Sequence, residues 1–386
     1  MSMEGIMSYL MNTIKTIPGL EIEHAEDSYL YGTLNGEVMK WIDLFNDSGV
    51  CSLGYDNHIK YHLKRALTPH MPNIVSFKFR ENVAEELCDM TKMNKVFFCN
   101  SGTEAIESAI KIMRKASTDT KKRYIYTYAN DFHGRTYGAL AASDGPSYHY
   151  EGFGPHLQGF KHFKYPHQID WDVCSGILMS TVFGNHDVMD HGIAELKYLR
   201  SMCDRHRIPL CLDEIQCGAG RCGTFNAFDR YAIVPDILCL AKGIACGNTL
   251  GACLARGRYA NTLTPGSHFS TFGGGIYGLL GVFEYISKWR NGDLNYQDIE
   301  NKAHLFKIKL EVIKEIDEIR QVGLMIAVKV KDDTAKLVSR KLLEKGVFLP
   351  TFRSDVLKMA PALTIKAEEI ELSMNTLQDV MEEVYS

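Results

Sequence analysis

The sequence predicts an α/β protein, with a large domain built on a mainly parallel sheet flanked by helices and a smaller α/β domain beside it. Three observations carry this. Short apolar runs alternate with runs of helical periodicity through the middle of the chain. The 386 residues exceed what one typical core organises. From about residue 290 the pattern changes to longer helical runs around a single strand.

The elements follow in order. Ile6, Leu10 and Ile14 share one face of a short amphipathic helix. Polar breaks in that N-terminal stretch argue against a signal peptide or a membrane span. VFFCN (96–100) reads as the end of a buried strand. GTEAIESAIKIMRK (102–115) reads as a helix with Ile106, Ala109, Ile110 and Met113 on one face. RYIYTY (123–128) and SGILMSTVF (175–183) are strands, and AELKYLRSMCDRH (194–206) is a helix. PLCLDEI (209–215), ILCLA (237–241) and LGACLA (250–255) are strands. Beyond 290 come helical runs at 300–316 and 333–345, a strand at MIAVKV (325–330) and a closing helix at 367–384. Strands separated by helices imply parallel pairing, with ligands at the carboxyl ends of the strands.

Composition narrows the function. Charged residues make up 23% and hydrophobic residues 45%, as in an ordinary soluble enzyme. A net charge of −4 gives no electrostatic case for nucleic acid or an anionic membrane. Of the eleven cysteines, Cys88, Cys99, Cys211, Cys239 and Cys253 sit inside apolar runs. They read as small core residues in a reducing, cytoplasmic compartment. No His/Cys set has zinc-finger spacing, so no metal site is expected.

Several motifs fall at strand ends. NSGTEA (100–105) places Ser101, Gly102 and Thr103 at a strand-to-helix turn, where backbone N–H groups and the helix dipole favour an anion. A capped helix start is the plainer reading. NDFHGRT (130–136) offers Phe132, His133 and Arg135; Phe132 also suits a core, and His133 a satisfied polar position. LDEIQCGAGRCG (212–223) puts Asp213 and Glu214 at the end of an apolar strand, where a charge requires a partner. ILCLAKGIACG (237–247) puts Lys242 at the end of another. A desolvated lysine has a lowered pKa and can form a Schiff base. Pyridoxal phosphate needs such a lysine, an anion for its pyridine nitrogen, a phosphate cradle and a flat side chain over its ring. All four occur here, at 242, 213, 101–103 and 132.

With those residues in place, the chain resembles the class III aminotransferases of pyridoxal-phosphate fold type I, especially the ornithine and acetylornithine group. NSGTEAIESAIK, NDFHGRTYGALAAS, LCLDEIQCGAGRCGTFNAFD, PDILCLAKGIACG and HFSTFGG carry the resemblance. It implies a seven-stranded-type sheet in a large domain over 51–288. Residues 1–50 and 289–386 would then contribute to the small domain. It implies that Lys242 is the Schiff-base lysine and acid/base, and that Asp213 pairs with the pyridine nitrogen. Gln216 would reach the cofactor's phenolic oxygen. Ser101, Gly102 and Thr103 would cradle the phosphate, and Phe132 would stack on the ring, with His133 beside it in the cofactor set. Thr271 would reach the phosphate bound in a partner subunit, so a homodimer or higher assembly is implied. Glu214 and Arg221 read as structural.

The departures bear on substrate. Where the resemblance leads one to expect an EPVQGEGG-like segment, the chain has STVFGNHD (180–187), with Ser180 and Asn185 at the two glutamate positions. Where an RLAPPL-like arginine is expected it has KMAPAL, with Lys358. In the ornithine-type enzymes that glutamate and arginine form a gate for a substrate carboxylate. Arg135, Asn185 and Lys358 are therefore the candidate substrate residues; the plainer reading is that another local residue, such as Arg353, replaces the missing arginine. The substrates expected are a small-molecule amine and a keto acid or aldehyde. Three readings stand at this level: an aminotransferase acting on a terminal or side-chain amine; a racemase, epimerase or aminomutase using the same lysine; or a non-catalytic relative. Retention of Lys242, Asp213, Gln216 and Thr271 together speaks against the last.

Overall fold

The computed structural model describes residues 16–55, 71–73, 75–184, 187–351 and 353–386. The N-terminal helix expected on Ile6, Leu10 and Ile14 lies outside these residues, as does Asn185.

The centre of the molecule is a seven-stranded sheet. Its strands are β4 (Lys95–Cys99), β5 (Tyr124–Tyr128), β6 (Phe160–Phe163), β7 (Cys174–Ser180), β10 (Leu210–Asp213), β11 (Ile237–Leu240) and β12 (Gly251–Ala255). Their order is β4-β12-β11-β10-β7-β5-β6. All run parallel except β12, which is antiparallel to both neighbours. Every residue of β7, β10 and β11 is buried. Such continuous apolar runs suit strands covered by helices on both faces.

Helix packing is set by the sequence pattern. After α1 (Lys78–Thr91), α2 (Gly102–Ala116) buries Ile106, Ala109, Ile110 and Met113, as the spacing predicts. Ser101 is its N-cap. The Ser101 hydroxyl accepts from the Glu104 N–H, and Glu104 accepts from the Asn100 N–H at 2.6 Å. Met113 packs so tightly on Gly176 of β7 that a Cβ there would lie 2.7 Å from its sulfur. Helix α3 (Tyr137–Ala142) is capped from α2, because Glu107 accepts from the N–H groups of Gly138 (2.9 Å) and Ala139 (3.0 Å). α4 (Ile193–His206) covers β10, and α5 (Ile276–Arg290) packs on α1.

The single strand expected at 175–183 needs correction. Residues 175–183 form two strands rather than one, with β8 (Val182–Phe183) pairing β9 (Met189–Asp190) as a separate ribbon. The break has a cause: Asp131 takes the Ser180 N–H at 2.6 Å, and Thr181 donates to Glu214 at 2.8 Å. The basic stretch FKHFKYP supplies edge strand β6, whose Lys161 ammonium lies over the Tyr124 ring at 4.3 Å.

The chain ends meet. β1 (Leu20–Glu26), β2 (Tyr29–Leu34) and β3 (Glu37–Asp43) form an antiparallel meander, and β15 (Val347–Phe348) lies parallel to β3. Trp41, fully buried, donates to the Leu343 carbonyl at 2.8 Å. β13 (Ile316–Val322), β14 (Met325–Val330) and β16 (Val356–Met359) form a third sheet. It is backed by α6 (Tyr296–Glu311) and α7 (Ala335–Glu344), with α8 (Ala367–Tyr385) packed on both.

Arg221 ties these parts together. Its fully buried guanidinium donates to the carbonyls of Leu324 and Pro361, and Gly49 lies against its face. Burial lowers its pKa to about 10, a cost accepted for bridging three chain segments. Arg221→Ala should remove both donors, leave a cavity and lower stability by about 2–4 kcal/mol. The check is a lower denaturant midpoint at constant slope; an unchanged midpoint would exclude the bridging role.

Candidate active site

The candidate residues converge on the carboxyl edge of the seven-stranded sheet. Asp213 ends β10, and Lys242 follows β11 by two residues. These strands are neighbours, with Asp213 opposite Cys239. Phe132 and His133 follow β5, and Ser101, Gly102 and Thr103 follow β4.

Asp213 is a buried, oriented anion. It accepts from His133 Nδ1 at 2.8 Å and from the Ile215 N–H at 3.0 Å. Burial alone would depress the His133 pKa. Asp131, 3.6 Å from Nε2, and the bonded Asp213 together outweigh it and hold the pKa raised. The two carboxylates thus favour the protonated imidazole between them. Ser180 secures Asp131 through its N–H and its hydroxyl, at 2.6 and 2.7 Å. The Ser143 hydroxyl accepts the His133 N–H at 2.8 Å.

Lys242 is half-buried in a left-handed backbone conformation, φ 47°. Desolvation lowers its pKa, against the opposing fields of Asp213 and Asp47. Lys358, on β16, reaches the same pocket and donates to Gln216 Oε1 at 3.2 Å. Burial and the nearby Lys242 lower its pKa to about 7. Gln216 Nε2 faces the Ser48 carbonyl at 3.5 Å. Gly184 makes room for Gln216, since a Cβ there would lie 2.6 Å from its Oε1.

At the helix start, Gly102 packs on Ile215, and the Thr103 hydroxyl contacts that of Thr136 at 2.9 Å. Gly134 is required, because a Cβ would meet the Thr103 hydroxyl at 2.3 Å. Phe132 is half-buried, with the Arg135 guanidinium 5.7 Å from its ring centre. Arg135 is exposed and contacts His149 Nε2 at 3.1 Å. Arg353 is turned to Asp355, bonding both oxygens at 2.8 and 2.9 Å, so it does not stand in for the missing arginine. Glu214 serves the fold: it accepts from Thr181, Ala227 and Phe228, while burial raises its pKa to about 7.

Thr271 is not gathered into this pocket by any contact. It is exposed, its hydroxyl makes no hydrogen bond among the described residues, and Phe269 and Phe272 beside it are 62% and 67% exposed. The loop itself is fixed. His268 contacts Ser108 and Lys111 of α2, each at 2.9 Å, and Asn73 donates to the Ser270 carbonyl at 2.8 Å.

Sequence reasoning did not single out Asp131, Ser143, Gly184 or Asp47, and it marked Ser180 only as the residue at an expected glutamate position. Asp131 carried a usable signal, being a second carboxylate at a strand end inside the NDFHGRT segment. The serines carried none, because their role depends on which strands are neighbours.

This donor set fits pyridoxal phosphate: an amine of lowered pKa, a buried carboxylate oriented by a histidine, and a capped helix start next to them. A fold and site of this kind define a pyridoxal-phosphate-dependent transaminase. The family model for class III aminotransferases matches residues 11–381, and the chain belongs to that family. It is 34% identical to the acetylornithine aminotransferase of Methanopyrus kandleri, covering 98% of each chain. It is 30% identical to that of Clostridium acetobutylicum, over 96% of this chain and 98% of the relative. The ornithine aminotransferase of Toxoplasma gondii superposes with a TM-score of 0.89 at 25% identity, covering 98% of this chain and 92% of that one. The sheet is that of fold type I.

The His133–Asp213 bond generates a test. His133→Leu would leave a buried carboxylate without its cationic partner, a loss of about 3–5 kcal/mol. A marked fall in the thermal midpoint is expected. An unchanged midpoint would show that the pair is dispensable to the fold.

Proposed function

We propose that Lys242 carries the cofactor and moves the proton at the substrate's reacting carbon, and that the amino group comes from a terminal or side-chain amine and passes to a keto acid. The observation that carries this is the pairing of Lys242 with the His133-held Asp213 on adjacent strand ends. Bound there, pyridoxal phosphate supplies an electron sink for the carbanion left by proton loss.

The chain's own groups supply the rest. Desolvation lowers the Lys242 pKa and so favours the neutral form that can accept a proton. Asp213 holds a proton on a ring nitrogen by its charge, and His133 keeps that charge in place. Ser101, Gly102 and Thr103 offer donors to a phosphate at the start of α2. Phe132 offers a flat face. Gln216 Oε1 is occupied by Lys358 and one amide N–H is turned to the Ser48 carbonyl, which leaves the other N–H for a phenolic oxygen. Arg135 and Lys358 are the cations available to a substrate carboxylate. The exposed Thr271, flanked by exposed aromatics on a rigid loop, suits a site completed by a second copy of the chain. Eleven free cysteines fit a reducing compartment such as the cytoplasm. Among the described residues no helix is long and apolar enough to cross a membrane.

Lys242→Ala should abolish cofactor that borohydride can fix to the chain, together with turnover. Normal turnover in that variant would end the assignment.

Lys358 gives a second expected outcome. Its cation is present below about pH 7 and is lost as pH rises through that value. The kcat/KM for 2-oxoglutarate should therefore fall above neutrality in the wild type. Lys358→Arg keeps its charge and should flatten that limb. A falling limb that is identical in the two proteins would assign acceptor recognition to Arg135 alone.

A further inference from the structure

A cavity of about 560 Å³ opens at the amino edge of the seven-stranded sheet, the end opposite Asp213 and Lys242. Asn94 leads into β4, Ile208 precedes β10 by two residues, Asp236 leads into β11, and Arg256 follows the antiparallel β12; all four line the cavity. The four residues of β10, about 13 Å of strand, separate this edge from the Asp213 end.

Five cations line the cavity: Lys92, Arg200, Arg207, Arg256 and Arg258. Three carboxylates meet them. Asp236 is shared by Arg200 at 2.7 Å and Arg256 at 3.5 Å, Asp204 meets Arg200 at 2.8 Å, and Asp229 meets Lys92. Arg207 and Arg258 are left over. Both are exposed, and neither side chain meets a carboxylate among the described residues. In a chain of net charge −4 this is a local excess of positive charge.

The fold accounts for some of these cations. Arg256 donates to the carbonyls of Pro235 and Val234, at 2.6 and 2.8 Å. Lys92 and Arg207 directly follow α1 and α4, where the helix dipole favours a cation. Neither reason covers Arg258. It lies in the turn after β12 and donates to the Arg207 carbonyl and, at 2.6 Å, to the Tyr259 hydroxyl. That holds a second arginine against the first with no anion between them. Arg200 adds an independent sign. It is 9% exposed, and its Nε is buried with no acceptor among the described residues. A buried donor left unmet is costly, and an acceptor bound in the cavity that Arg200 lines would satisfy it.

We propose that this cavity binds a small molecule bearing two linked phosphate groups, held by Arg200, Arg207 and Arg258. A guanidinium fork takes two oxygens of one phosphate. A single carboxylate fills one fork, whereas a diphosphate has oxygens for both exposed forks and for Arg200. Ile208 and Tyr259 in the lining are buried, so no open ring face is on offer and the phosphates are the recognised part. The site does not depend on the role of Lys242.

The test is calorimetry with inorganic pyrophosphate at about 0.15 M salt. It is run on the enzyme as purified and after borohydride fixation of pyridoxal phosphate, which fills the phosphate cradle at 101–103. The wild type should bind in both forms with a submillimolar Kd, and pyrophosphate should raise its thermal midpoint. Arg207→Gly relieves a φ of 53° and should fold as well as the wild type. It and Arg258→Gln should each weaken binding about tenfold, as expected for losing a hydrogen bond to a charged group. Arg340→Gln, on an exposed helix face, should leave binding unchanged. ADP binding as tightly as pyrophosphate would make the natural ligand a nucleotide; binding of pyrophosphate alone would make it the free anion. No binding at millimolar concentration, binding that survives both arginine substitutions, an equal loss in Arg340→Gln, or citrate binding as tightly as pyrophosphate would overturn the proposal. If borohydride fixes no cofactor, the reading of Lys242 fails, and the comparison of wild type with Arg207→Gly still decides this site.

Discussion

The site depends on giving a partner to one carboxylate inside a dry sheet edge. Asp213 is 5% exposed, and leaving a charge unpartnered at that depth is costly. His133 supplies the partner from 2.8 Å away. A buried histidine would itself lose its proton, so a second carboxylate, Asp131, stands behind it. Asp131 in turn needs donors, and Ser180 gives two. The chain of requirements crosses β10, β5 and β7. It forces those strands to end at matching heights, which fixes where the pocket can lie. A glutamate at 180 would bring a like charge against Asp131, so the serine found there is consistent with this network.

A second constraint joins the chain ends to the pocket. Lys242 is desolvated partly because the turn at 46–52 closes on the segment after it. That turn rests on Arg221, whose other contacts are carbonyls at 324 and 361. Lys358 then enters from β16 and meets Lys242 as a like charge. The lowered proton affinity of each lysine is therefore a property of the assembled molecule. The large sheet alone would leave Lys242 more hydrated and close to an ordinary ammonium.

This explains what could be read in advance. Helix α2, strands β10 and β11, and the pairing of Asp213 with Lys242 were legible because each rests on local pattern: apolar period, a cap, a charge closing an apolar run. The antiparallel direction of β12 was not, since GACLA reads the same in either sense. The meander β1–β3 was not, because LEIEHAE is mostly exposed and carries little apolar signal. The break after Ser180 needed knowledge that Asp131 would be beside it. Arg353 looked like a substitute anchor by proximity in sequence, but two residues on lies Asp355, which satisfies it. Asp47 could not have been found, since nothing in NDSG announces four left-handed residues.

The balance of charge in the pocket follows from these placements. Lys242, Lys358 and Arg135 bring three cations, and His133 is already spent on Asp213 and Asp131. With Ser180 and Asn185 at the two positions where the resemblance expects glutamates, the carboxylate that remains in that segment, Asp187, is turned to Arg320. Lys358 is instead held by the neutral Gln216 oxygen at 3.2 Å, a weaker partner than a carboxylate. An arginine in that setting would stay charged and demand a counter-ion, whereas a lysine can shed its proton. Loss of the glutamate and exchange of arginine for lysine are thus two halves of one electrostatic solution. The pocket thus holds a lysine that can release its proton near neutrality in place of an arginine that would stay charged and unpaired.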